Sequence, residues 1–129
     1  MGRFLRDSGI VPDLVVSSTA VRARTTAELA AESGEWGCPI ETTPDLYASE
    51  PQRVLEVVAE TDAAVDRLLI AGHEPTSSAL IAWLIGGGSI HMPTAAVACL
   101  DLENGDWSDL GAGTCELRWL ITPKMLKKK

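Results

Sequence analysis

The sequence has no run of 18 or more apolar residues, so no membrane-spanning helix is expected. Residues 1–7 carry charge but no apolar core, and they do not read as a secretory leader. Cysteine is scarce: Cys38, Cys99 and Cys115 are odd in number, widely spaced and free of any CxxC pattern. A metal or redox motif is therefore not expected, no cofactor is called for, and a reducing, cytoplasmic setting is the default. The three thiols read as small buried or half-buried hydrophobes. Basic residues are outnumbered, 11 against 18 acids, for a net charge of −7. That balance argues against non-specific nucleic-acid binding, which needs a basic face. The one basic cluster, Lys124, Lys127, Lys128 and Lys129, reads as a solvated end. Neither GxGxxG nor GxxxxGK[ST] occurs, which disfavours a plain nucleotide binder. No internal repeat, low-complexity tract or linker is visible.

What is present suits one domain with one core: 129 residues, 46% of them apolar. Residues 2–8 read as a short helix stopped by Gly9, with Pro12 close behind. A helix starting at Met1 with no residue before it to cap it looks cut. Residues 10–17 form a β-branched strand candidate, and Ser17, Ser18 and Thr19 offer capping oxygens for a helix over 20–32. A brief strand over 40–43 follows, then a helix over 51–61 with proline at its first position and a stripe of Val54, Leu55, Val58 and Ala59. Residues 67–71 read as a fully buried strand, 76–85 as a helix ended by Gly86, Gly87 and Gly88. Strands over 94–102 and 114–121 flank the turn signal Asn104-Gly105. Alternating strand and helix predicts an α/β domain with a largely parallel sheet, and the last two strands predict an antiparallel addition.

Two segments switch from apolar strand to helix through small or polar residues. One is Leu14-Val15-Val16-Ser17-Ser18-Thr19-Ala20-Val21-Arg22-Ala23-Arg24-Thr25-Thr26, the other Leu68-Leu69-Ile70-Ala71-Gly72-His73-Glu74-Pro75. Ligands of open α/β sheets bind beyond the carboxyl ends of strands, where helix N-termini present free N–H groups. Arg22 has the planar fork that suits phosphate oxygens, and His73 can donate to one. Each residue also has an ordinary reading: a helix arginine is usually a solvated surface residue, and Arg24 keeps that reading. His91 reads as a structural or solvated loop residue, Glu74 as a first-turn helix acid, and Glu50 as a surface carboxylate.

These residues resemble the second and third motif blocks of the histidine phosphatase superfamily, in its SixA-type phosphohistidine phosphatase branch. Ser18, Arg22, Ala23 and Thr26 stand in the pattern Ser-Ser/Pro then Arg-Ala-x-x-Thr, and Gly72, His73 and Pro75 stand in Gly-His-x-Pro. Thr19 takes a place where some members have proline. The resemblance extends along the chain through Pro12-Asp13-Leu14, Pro93-Thr94-Ala95-Ala96, and the Trp119 strand ending at Pro123. It implies a three-layer, phosphoglycerate mutase-like sandwich with an antiparallel C-terminal edge. It implies Arg22 and His73 as phosphate ligands converging on one anion, with His73 a catalytic residue, and no metal. The implied partner is a phosphorylated protein or a small phosphoester; the net charge and the lack of a long apolar run point away from nucleic acid and membrane.

In that branch a histidine in an N-terminal Arg-His-Gly or Arg-His-Ala strand attacks phosphorus, and water then hydrolyses the phosphohistidine. No such segment occurs in the 129 residues. The sequence is accordingly expected to be a single, N-terminally truncated domain over 1–129, with a catalytically inactive phosphate- or phosphoprotein-binding remnant as the alternative reading. The resemblance places the first strand between the strands at 14–17 and 67–71. Without it, those edges should pair with each other or with a second copy, or the chain should fold poorly.

Overall fold

Local chemistry decides where each element begins and ends in a computed structural model, which describes residues 1–47, 50–102 and 105–126. Helix α1 (Gly2–Asp7) has Ser8 as its C-cap, and Gly9 follows at φ +73, a conformation that glycine adopts without strain. Strand β1 (Leu14–Ser18) starts four residues later than expected. Pro12 has no N–H to give a ladder. The carboxylate of Asp13 accepts the backbone N–H groups of Asp66 and Arg67 at 2.8 and 2.9 Å, tying the entrance of β1 to that of a later strand.

Helix α2 (Val21–Ser33) takes Ala20 as its N-cap, and no side chain caps it. The expected cap oxygen is used one step earlier, where Ser18 Oγ accepts the N–H of Ala20 at 3.1 Å. Ala23 and Ala27, one turn apart, are the buried residues of α2 and let its backbone lie close to the sheet. Strand β2 (Ile40–Thr43) falls where expected, and β3 spans Leu68–Ala71. The three strands run parallel in the order β2-β1-β3. Val15, Val16, Ser17 and Ser18 of the middle strand are all buried, as expected for a strand covered on both faces.

One expectation changes here. All four residues of β3 are half-buried rather than fully buried, because among the described residues it is bonded along one side only and is an edge strand. No strand lies between β1 and β3: they are direct neighbours in four successive pairs, from Leu14 opposite Leu68 to Ser17 opposite Ala71. The pairing of those two edges with each other is what occurs.

The elements α1, β1, α2, β2 and β3 make one unit, and α3, α4, β4 and β5 make a second. In the second, α3 (Pro51–Ala59) buries Val54, Leu55 and Val58, while Ala59 of the expected stripe is exposed. Helix α4 (Thr76–Leu84) is followed by Gly86, Gly87 and Gly88, all at positive φ. Strand β4 (Val97–Leu102) starts three residues late, after Ala95 at φ +62 breaks the extended run. It pairs antiparallel with β5 (Cys115–Ile121) as a separate two-stranded sheet. Leu55, Leu84 and Cys115 form this unit's core, with Leu80, Leu100, Leu102 and Leu110 packed on it. Asn104 of the turn signal, and Lys127, Lys128 and Lys129 of the tail, lie outside the described residues. The α/β class therefore stands: helices with a parallel three-stranded sheet and an antiparallel pair. Among the described residues, no helix is long and apolar enough to cross a membrane.

Candidate functional site

Strands β1 and β3 run parallel with Ser17 opposite Ala71, so their carboxyl ends leave the sheet on the same side. Two residues beyond Ala71 stands His73, and four beyond Ser18 stands Arg22, the second residue of α2. The two segments are joined directly: Ser18 Oγ and His73 Nε2 are 2.8 Å apart. Ser18 is completely buried. Its hydroxyl therefore serves the start of the helix and the histidine together.

Strand β2 supplies a third wall. Its end runs into a one-turn 3-10 helix, Pro44–Leu46, whose start is fixed by Thr43 Oγ1 accepting the Asp45 N–H at 3.2 Å. Leu46 is buried beneath that turn, and the next residue, Tyr47, sets its ring against His73 with centroids 5.6 Å apart at 82°. Tyr47 is otherwise 59% exposed. Ser18, Arg22, Tyr47 and His73 all belong to the first unit.

Arg22 is exposed, and among the described residues it forms no ion pair. Arg22 stands in the first turn of α2, where the helix dipole already favours an anion. An arginine fork, a helix start and an imidazole held at one end of the sheet make chemistry suited to a phosphate-sized anion.

The remaining candidates lie elsewhere. Glu74 precedes α4, with Pro75 between them at its N-cap, joined by a cis Glu74–Pro75 bond. Its carboxylate accepts the Ser78 N–H at 2.8 Å and the Ser78 hydroxyl, so it caps that helix from outside rather than from its first turn. Glu50 is exposed at the N-cap of α3 and makes no capping bond. His91 is an exposed loop residue. Cys38, Cys99 and Cys115 form no disulfide among the described residues, and burial pushes the thiols of Cys38 and Cys115 above their ordinary pKa. Among the described residues, no group of three or more His, Cys, Asp or Glu could hold a metal ion.

The sequence places Ser18 in a motif and at a helix start, but not against His73, and it gives no sign of the role of Tyr47. The parallel β1–β3 pairing brings the first contact about, and no periodic signal marks the second.

No family model matches the chain. The fold matches the solved structure of the "putative phosphohistidine phosphatase SixA" from Nakamurella multipartitia with TM-score 0.81 and 25% identity, over 95% of this chain and 77% of that one. It also matches the protein of the same description from Agrobacterium tumefaciens with TM-score 0.75 and 24% identity, over 95% of this chain and 75% of that one. The molecule thus has the α/β, phosphoglycerate mutase-like fold of the SixA structures. Among curated proteins, the uncharacterized protein ML1117 of Mycobacterium leprae (strain TN) is 32% identical over 132 residues, 95% of this chain and 79% of that protein. The uncharacterized protein Rv1276c of Mycobacterium tuberculosis (strain ATCC 25618 / H37Rv) is 34% identical over 133 residues, 95% of this chain and 81% of that protein. The chain belongs to the family of these mycobacterial proteins.

Proposed function

We propose that this is a SixA-type phosphohistidine phosphatase-like protein, whose site takes the phosphoryl group of a protein phosphohistidine or of a small phosphoester. The observation that carries the reading is the 2.8 Å contact between Ser18 and His73, with Arg22 in the first turn of the helix that follows Ser18. The likeness of fold to the SixA structures supports it. In this reading the tips of Arg22 and His73 converge on one anion. Arg22 binds two non-bridging oxygens through its fork, and His73 donates to a third. Both interactions strengthen as charge gathers on the equatorial oxygens of a transferring phosphoryl group, which is the sense in which His73 is catalytic.

The nucleophile of that chemistry has no counterpart in these 129 residues. His73 follows Gly72 and His91 follows Ile90, so neither stands in an Arg-His-Gly or Arg-His-Ala segment. That sequence fact favours a second reading for the polypeptide as given: it binds the phosphoryl group without turning it over. Calorimetric titration with inorganic phosphate and with a phosphohistidine peptide, beside an assay for phosphate release, tests both. Binding is expected, with Arg22→Ala and His73→Ala each weakening it by about tenfold or more, the worth of a charge-assisted hydrogen bond. No release above background is expected. Absence of binding by either ligand would overturn the site. Robust release abolished by His73→Ala would make His73 the nucleophile instead of a stabilising ligand.

A further inference from the structure

The Ser18 hydroxyl is completely buried, and among the described residues its oxygen has two partners. One is the backbone N–H of Ala20 at 3.1 Å, which can only donate. The other is His73 Nε2 at 2.8 Å, which donates or accepts according to where the imidazole carries its proton. If Nε2 carried the proton in the neutral ring, Ser18 would receive two donors and its own hydroxyl proton would have no acceptor. A buried polar group left unsatisfied is strongly disfavoured. The arrangement that satisfies all three groups has Ala20 donating to Ser18 Oγ, and Ser18 donating to Nε2.

We propose that Ser18 is a positioning residue for His73, whose hydroxyl donates to Nε2 and so holds the neutral imidazole as the Nδ1–H tautomer. In that tautomer the proton of the neutral ring sits on Nδ1. Tyr47 packs against the same ring, with centroids 5.6 Å apart at 82°. The oxygen that fixes the tautomer is held in turn by the N–H next to α2, so the histidine and the helix carrying Arg22 are set by one atom. The use of that Nδ1–H for a phosphoryl oxygen rests on the function proposed above; the tautomer does not.

Two-bond 1H–15N correlation spectra of the uniformly labelled chain read the tautomer directly. At about pH 9, well above the ordinary imidazole range, His73 is expected to show a protonated Nδ1 and an acceptor-type Nε2. In Ser18→Ala the ring should move toward the Nε2–H form that free imidazoles prefer, and inorganic phosphate should bind about three- to tenfold more weakly. Tyr47→Phe, which keeps the ring, should leave the tautomer unchanged. An Nε2–H tautomer in the unmodified chain would overturn the proposal. So would a Ser18→Ala variant with an unaltered ring, whereas an altered ring with unaltered phosphate affinity would overturn only the use of Nδ1–H for a phosphoryl oxygen. If Ser18→Ala does not fold, the spectrum of the unmodified chain decides alone. Should the unmodified chain bind no phosphate while showing the Nδ1–H form, the function reading fails and the tautomer assignment stands.

Discussion

The Asp13 carboxylate accepts the N–H of Arg67 and that of Asp66, and these two bonds hold its pKa below the ordinary carboxylate range. A depressed folded-state pKa contributes stability that is present above the unfolded value, near ~3.9, and is lost as pH falls through the folded one. Urea midpoints of the native chain and of Asp13→Asn should therefore differ at pH 6 and draw together as the pH drops below about 4. A difference independent of pH over that range would refute the role given to the carboxylate. Cys38 and Cys115 have raised pKa values, chiefly because burial disfavours the thiolate. Alkylation by iodoacetamide at pH 8, followed residue by residue by mass spectrometry, should be slower at both than at a cysteine in a short peptide. Arg22 and His73 were legible as single residues because each follows a strand in a recognisable pattern. Ser18 was legible only as a nearby oxygen, since its partner is 55 residues away.

Helix α1 packs on α2 at unusually short range, and the reason is a glycine. A Cβ placed on Gly2 would lie 1.8 Å from the carbonyl oxygen of Ala30, so no larger residue fits without moving one helix. The same glycine's carbonyl accepts the indole N–H of buried Trp36 at 3.2 Å. Gly2→Ala should lower stability by about 1–3 kcal/mol, the usual consequence of forcing extra volume into a packed contact, as read from denaturant midpoints. An unchanged midpoint would show that α1 is not held as described. The sequence located nearly every element correctly, because proline, glycine and apolar period are local signals. It misjudged the start of β1 by four residues and that of β4 by three. In both cases apolar composition continued through a place where backbone chemistry did not allow a ladder: Pro12 and Asp13 before β1, Ala95 at positive φ before β4.

For the whole molecule, the open edges matter more than the cores. Leu68-Leu69-Ile70-Ala71 on edge strand β3 carries no charge and no proline, the usual devices against edge pairing. Edge strand β2 is better protected, with Glu41 exposed and Pro44 directly after it. Self-association through β3 is expected, opposed by mutual repulsion at a net charge of −7. Light-scattering mass should rise with protein concentration, and rise further when salt screens the repulsion. A monomer at every concentration and ionic strength would dismiss it.

The sequence by itself determined which segments become helix and strand, because hydrophobic period, proline and glycine act within a few residues. It also put Arg22 and His73 at strand ends. It could not decide which strands are neighbours, since pairing depends on contacts spanning tens of residues. The direct β1–β3 register, the edge position of an all-apolar strand, and the meeting of Ser18, Tyr47 and His73 are decisions of the tertiary structure. The physical reason is the same in each: a hydrogen bond or a ring contact has a fixed geometry, and only the assembled sheet brings its two halves within reach.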